Sequence, residues 1–391
     1  MVSSGTDCLP RVVTATGQLL FFDVPGGVFC WEASKDLPKR IGLCLIPLLR
    51  YCHSAGPNTC MNSPAQKIVV TDWTFPDLSI EEEILNRNGV SLVGKQCKGA
   101  PDLISLVSDA DAVITQFAKI DATVIGAMRH ARVIVRYGIG VDNVDLEAAR
   151  GRGIPVCNVP DYCMAEVADH TMAFILAITR QIVPNTLHLR AGKWGLATAL
   201  SSMQSLKNLT VGVIGFGRIG REVINRLVAF KCRVLVFDPV VPADQISKAD
   251  AEPAKSLDHL LAESDIVTLH CPSTAQTRRM FNAEVFGRMK LGAIFINVGR
   301  GDLVDSPALV AALQSGSLAG AALDVFDPEP IPADNPIRKM PNVLLSAHIA
   351  SASPAAVKQL RETSAHIALK ALRGEPLPNV VNGVGGGKNV A

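Results

Sequence analysis

Val211-Gly-Val-Ile-Gly215-Phe-Gly217-Arg-Ile-Gly220 is an apolar run that breaks into three glycines spaced G-x-G-x-x-G. The run reads as a strand, and Arg221–Phe230 behind it as a helix. A second apolar run, Val234–Phe237, ends in Asp238, 18 residues after Gly220. In that setting each glycine has a task. Gly215 permits the tight turn, Gly217 removes a side chain where a pyrophosphate approaches the backbone, and Gly220 lets the helix pack on the strand. The free N–H groups of the helix N-terminus then face the phosphates. Asp238 is placed to accept from the ribose hydroxyls and to repel a 2′-phosphate. Pro239-Val240-Val241-Pro242 offers no cation against that repulsion, so NAD is expected over NADP.

Outward from this turn, strands and helices alternate. The second set of strands continues with Ile266–Leu269, Ala293–Asn297, Ala321–Asp324 and Val343–Ser346. These runs are apolar almost throughout, as parallel strands covered on both faces must be. An earlier set comprises Ile68–Thr71, Val90–Val93, Ala112–Ile114, Val133–Val135 and Pro155–Cys157, with helical stretches such as Ile80–Arg87 between them. The expectation is an α/β protein with parallel sheets. Met164–Gln181 is apolar on nearly every face and reads as one buried or interface helix. Pro354–Leu372 also reads as a helix, and the tail from Val384 is glycine-rich.

The bulk numbers fit two ordinary domains. The chain has 391 residues, 48% hydrophobic and 19% charged, with a formal net charge of +2. That balance supports a large core and gives no reason to expect nucleic acid or an anionic membrane as a partner. No apolar run reaches the length of a membrane span. The ten cysteines lack the paired spacing of a zinc site, so no metal is expected, and reduced thiols in the cytoplasm are the simplest reading. Residues 1–62 show no sustained period and recurrent Pro and Gly, and read as a disordered or non-domain extension. A chain beginning at Met61 is expected to fold and work normally.

Three ionisable residues fall just beyond strand ends of the second set: Arg300, Glu329 and His348. Ligands of open parallel sheets bind beyond the carboxyl ends of the strands. Reduction of a 2-oxo acid needs a proton donor to the ketone oxygen as hydride arrives, and an imidazolium suits that task. A carboxylate beside the ring holds it and favours its charged form. An arginine fork binds the acid's carboxylate.

With these residues in place, the chain resembles the D-isomer-specific 2-hydroxyacid dehydrogenases over roughly residues 66–380. The resemblance rests on Arg136-Tyr-Gly-Ile-Gly-Val-Asp-Asn143, Glu166-Val-Ala-Asp-His170, Gly192-Lys-Trp194, Gly215–Gly220, His270-Cys-Pro272, Asn297–Gly301, Ala322-Leu-Asp-Val-Phe-Asp-Pro-Glu-Pro330 and His348. It implies a Rossmann NAD-binding domain (163–351) inserted in a flavodoxin-like substrate-binding domain (63–162 and 352–383). It implies His348 as acid/base, Glu329 as its partner and Arg300 as the substrate arginine. Main-chain N–H groups of Gly138, Ile139 and Gly140 would hold the substrate carboxylate. Arg218, Ile219, Cys271, Pro272, Val298, Gly299 and Asp324 would join Gly215, Gly217, Gly220 and Asp238 around NAD. A homodimer through Met164–Gln181 is also implied.

Within that family, phosphoglycerate members carry an arginine at the position of Thr115. The expected substrate is therefore a glyoxylate- or hydroxypyruvate-like acid rather than a phosphorylated one, with phosphoglycerate dehydrogenase as an alternative. The C-terminal-binding corepressors share the Arg–Glu–His set but carry a tryptophan where this chain has Ser351. A corepressor-like protein of the same fold is the rival reading, and turnover of NADH separates the two.

Overall fold

The structure, a computed structural model, describes residues 11–16, 19–24, 27–32 and 66–385. Its contacts divide the chain into two units, Met1–Met61 and Asn62–Ala391. In the first unit, β1 (Arg11–Thr16), β2 (Leu19–Val24) and β3 (Gly27–Glu32) form an antiparallel sheet in sequential order. The absence of regular elements expected for residues 1–62 therefore does not hold for these three runs. Their β-branched and aromatic residues, separated by the dipeptides Gly17-Gln18 and Pro25-Gly26, carry a hairpin signal too short to register as a sustained period. The rest of that expectation falls outside the described residues.

The second unit contains two parallel sheets. The smaller has five strands in the order β5-β4-β6-β7-β8 (β4 Lys67–Val70, β5 Ser91–Gly94, β6 Ala112–Thr115, β7 Ile134–Arg136, β8 Val156–Cys157). The larger has seven in the order β11-β10-β9-β12-β13-β14-β15. Its members are β9 Thr210–Ile214, β10 Arg233–Phe237, β11 Glu252–Pro253, β12 Ile266–Leu269, β13 Ala293–Asn297, β14 Leu318–Leu323 and β15 Val343–Leu345. Every pairing within both sheets is parallel. As the apolar runs require, each sheet is covered on both faces. On the large sheet, helices Met164–Thr179 and Arg218–Ala229 bury Ala168, Ile175, Val223 and Leu227 on one face. Leu260, Phe286, Leu309 and Leu313 cover the other. The chain order at β9 reverses the direction of winding (β10 on one side, β12 on the other), which opens a crevice at the carboxyl end of β9.

The helix Pro354–Leu372 returns to the small sheet, where Leu360, Ile367 and Ala368 pack with Ile68, Ile114 and Val135. A buried ionic cluster fixes its register. Arg361 (4% exposed) donates to both carboxylate oxygens of Glu81 (0%), at 2.9 Å from Nε to Oε1 and 2.6 Å from Nη2 to Oε2. The Tyr137 hydroxyl donates to the same Glu81 at 2.8 Å. This cluster ties the last helix to the loop that follows β7 and enters the crevice.

The helix expected over Met164–Gln181 is present as Met164–Thr179. Gln181 takes a left-handed φ of 52°, and a further helix, Ile182–Arg190, follows.

Candidate functional site

The glycine turn is built as its spacing predicts. Gly215 has φ +103°, and a Cβ there would lie 2.7 Å from the His270 carbonyl carbon. A Cβ on Gly220 would lie 2.2 Å from the Gly215 oxygen, so helix and strand touch backbone to backbone. Gly217, by contrast, has nothing within 4 Å of its Cβ position. It caps the helix Arg218–Ala229 without any side-chain acceptor on the first N–H groups. Space and free donors together fit a pyrophosphate. Asp238, at the end of β10, accepts from Phe216 N–H at 2.8 Å and from Val240 N–H at 3.0 Å. Its carboxylate thus braces the turn, and its remaining lone pairs are those a ribose could use.

A cleft of about 1500 Å³ runs from Gly217, Arg218 and Ile219 past Cys271, Pro272, Val298 and Gly299 to Arg300, Glu329 and His348. Ile139, Gly140 and Asp324 line it as well. Gly138, Gly215, Gly220 and Asp238 are not among its lining residues. Burial pushes the Cys271 thiol up to about 11, which keeps it protonated in the cleft.

His348 and Glu329 form a hydrogen-bonded pair in the cleft. His348 Nδ1 lies 2.8 Å from Glu329 Oε2, while Glu329 Oε1 accepts from Phe326 N–H at 2.9 Å. This tie leaves His348 Nε2 as the free ring nitrogen. Burial raises the Glu329 pKa, but the hydrogen bond and charge of His348 outweigh it and hold Glu329 below the usual carboxylate range. His348 has a left-handed φ of 52°. That backbone is secured on both sides by Asp324: its carbonyl accepts from His348 N–H at 2.7 Å. Its carboxylate accepts from Ser346 Oγ at 2.5 Å and from the N–H groups of Ile349 and Ala350, both at 2.9 Å. Asp324, expected around the cofactor, therefore also sets the histidine. The Glu329 loop approaches Arg300 because Gly301 has no side chain, its Cβ position lying 2.0 Å from the Phe326 carbonyl.

Arg300 reaches across to the small-sheet lobe. Its Nε donates to Asp142 Oδ1 at 2.9 Å and its Nη1 to the Gly299 carbonyl at 2.8 Å. Its Nη2 is left beside Gly140, 1.7 Å from the place a Cβ would occupy. Burial raises the Asp142 pKa, and Arg300 more than offsets it, so Asp142 stays ionised. The N–H groups of Ile139 and Gly140 have no acceptor among the described residues. Gly138 departs from expectation, since its N–H turns back to the Arg136 carbonyl at 2.8 Å. The unpaired N–H groups of Ile139 and Gly140 thus stand beside the Arg300 guanidinium.

Thr115 does not face the cleft. It is fully buried, 2.9 Å from Thr71 Oγ1 and 3.2 Å from Asp72 Oδ1. Asp72 also accepts from the N–H groups of Gln116, Phe117 and Ala118 and so pins the loop beyond β6. The missing guanidinium at 115 therefore says little about charge in the cleft, because Arg136 supplies one from the neighbouring strand. Arg136, Asp142, Phe117 and Tyr162 line the cleft and were not among the residues given roles from sequence. Arg136 and Asp142 lay inside a quoted motif. Phe117, whose ring meets that of His348 edge-on at 5.4 Å, gave no signal of its own.

Comparison with known proteins agrees with this geometry. Residues 172–350 match the family described as D-isomer specific 2-hydroxyacid dehydrogenase, NAD binding domain. A glyoxylate reductase of Korarchaeum cryptofilum is 39% identical over 283 residues, covering 72% of this chain and 85% of that protein. A D-3-phosphoglycerate dehydrogenase of Methanocaldococcus jannaschii is 36% identical over 318 residues, covering 81% of this chain but only 59% of that longer protein. Among solved structures, D-lactate dehydrogenase of Aquifex aeolicus complexed with NAD and lactic acid aligns with a TM-score of 0.71 at 28% identity, over 79% of this chain and 96% of that one. The chain belongs to the D-isomer specific 2-hydroxyacid dehydrogenase family of NAD-dependent oxidoreductases.

Proposed function

We propose that this protein transfers hydride between NAD(H) and C2 of a small, unphosphorylated 2-oxo or 2-hydroxy acid such as glyoxylate or hydroxypyruvate. The observation that carries the reading is the His348–Glu329 pair, 2.8 Å apart, in the same cleft as the open Gly217 turn and Arg300. The lobe of the small sheet (63–162 with 352–383) serves as the substrate-binding domain and 163–351 as the NAD-binding domain. Gly217, Arg218 and Ile219 would hold NADH with Asp238 toward its ribose, and the bound cofactor would supply the hydride. Arg300 Nη2 and the N–H groups of Ile139 and Gly140 fix the carboxylate of the acid. His348 Nε2 gives its proton to the C2 oxygen as the alkoxide forms, and takes it back in the oxidation direction. Glu329 holds the ring and stabilises the imidazolium. A phosphate dianion is disfavoured because Arg136, the cation beside Arg300 at the Gly138–Gly140 loop, offers a single charge where two would need partners.

We place the protein in the cytoplasm as a homodimer. Cys97, Cys157, Cys163, Cys232 and Cys271 are free, which suits a reducing compartment. Ile182, Leu187, Leu189, Trp194, Leu196 and Leu200 are all more than half exposed, which supports burial against a second copy. The test of the reaction is NADH oxidation with glyoxylate, hydroxypyruvate, pyruvate and phosphohydroxypyruvate side by side. Among these four, glyoxylate or hydroxypyruvate is expected to lead. Bound NADH with no turnover of any of the four would overturn the reading in favour of a corepressor-like role.

A further inference from the structure

Arg136 is an arginine without a partner. It is 7% exposed, yet among the described residues no oxygen accepts from its guanidinium, and its Nε is a buried, unsatisfied donor. Buried charges are normally paired, and an orphan of this kind destabilises the fold that carries it. The cost is compounded by Arg300, which faces the same cleft. Burial, and then the charge of Arg300, push Arg136 down to about 10.

The position of the guanidinium is defined. Its Nη1 lies 1.5 Å from the place a Cβ on Gly138 would occupy, and Arg300 Nη2 lies 1.7 Å from the corresponding place on Gly140. The two guanidinium groups therefore flank one short loop, on α-carbons no more than about 7 Å apart along an extended chain. The face of Arg136 is covered by Phe117, whose ring centre is 5.8 Å from Cζ. Stacking of this kind orients a guanidinium so that its edge, not its face, meets a ligand. Asp142 contributes one negative charge between the two arginines, but its hydrogen bond goes to Arg300. Arg300 thus has a counter-ion before substrate arrives, and Arg136 has none.

We propose that Arg136 binds a second carboxylate of the substrate, so that the preferred acids are short 2-oxo dicarboxylates of four or five carbons. The C1 carboxylate occupies Arg300 Nη2 with the N–H groups of Ile139 and Gly140, and the distal carboxylate meets the edge of Arg136. A single guanidinium matches one carboxylate in charge and in planar, two-point geometry. This inference rests on the hydride-transfer reading and names the substrate class of that site.

The test measures kcat/KM with NADH for oxaloacetate against 2-oxobutyrate and for 2-oxoglutarate against 2-oxopentanoate, in the wild type, Arg136→Met and Arg136→Lys. In the wild type each dicarboxylate should exceed its uncharged counterpart by about ten- to hundredfold, the range of one charge-assisted interaction. Arg136→Met should bring both ratios to near one, Arg136→Lys should keep part of the preference, and the melting temperature of Arg136→Met without ligand should not fall. Wild-type ratios near one, with glyoxylate still reduced, would overturn the second-carboxylate assignment while leaving the hydride-transfer reading intact. Equal losses on both classes in Arg136→Met would also overturn it, by placing the C1 carboxylate on Arg136. Failure of all 2-oxo acids in the wild type would sink the underlying reading instead.

Discussion

The three glycines of the turn should fail in different ways when each is replaced by alanine. Gly220→Ala puts a methyl group 2.2 Å from the Gly215 carbonyl oxygen, more than 1 Å inside ordinary contact, with backbone on both sides. Overpacking of that kind costs about 1–3 kcal/mol. Gly215→Ala meets the His270 backbone at 2.7 Å and must also hold φ at +103°, a strain of roughly 1–3 kcal/mol on its own. For a domain of this size each kcal/mol lowers the melting temperature by about 2–4 °C. Both variants should therefore melt several degrees below the wild type. Gly217→Ala finds open space, and its φ of −71° suits any residue. It loses only a weak helix cap, about 1 kcal/mol or less. Its methyl group instead stands where a pyrophosphate would lie, so NADH affinity should fall by about ten- to hundredfold. The assay pairs thermal melts without cofactor with NADH titration followed by nicotinamide fluorescence. A Gly217→Ala protein that binds NADH as tightly as the wild type would refute the placement of the cofactor.

Three further outcomes follow from the structure. NADH should give at least about tenfold higher kcat/KM than NADPH, because Asp238 opposes a 2′-phosphate, and Asp238→Ser should narrow the gap; equal values in the wild type would contradict the assignment. Glu81→Gln leaves the buried Arg361 charge only the more exposed Asp77 carboxylate at 3.4 Å and should cost up to about 3 kcal/mol in urea unfolding. The paired change Glu81→Met with Arg361→Met should recover most of it, and a mild effect of the single change would show that the cluster is not dry. Leu187→Glu together with Leu189→Glu should convert a dimer to a monomer in size-exclusion chromatography, and an unchanged dimer would place the interface elsewhere.

Most of the fold was legible because its strands are buried on both faces and so appear as uninterrupted apolar runs. The loops bearing Arg300, Glu329 and His348 were legible for a related reason, since a parallel sheet brings the carboxyl ends of its strands to one crevice. What was hidden depends on partners distant in sequence. Thr115 and Arg136 sit on adjacent strands, and only the structure shows that the first is tied to Thr71 and Asp72 while the second is left in the cleft. The Gly138 N–H was expected to bind substrate, but its direction is set by a local turn back to Arg136. The helix Ile182–Arg190 was not read because none of its residues is buried, so no apolar face marks it. The strands of residues 11–32 were missed because a sheet of six-residue runs gives too few repeats of a two-residue period.

The most direct test of the account compares wild type and His348→Ala in NADH oxidation with the best 2-oxo acid, with NADH affinity measured on both proteins. The account predicts a fall in kcat of about 10²–10⁴ with NADH affinity little changed. Near-full turnover by His348→Ala would contradict the role given to the His348–Glu329 pair.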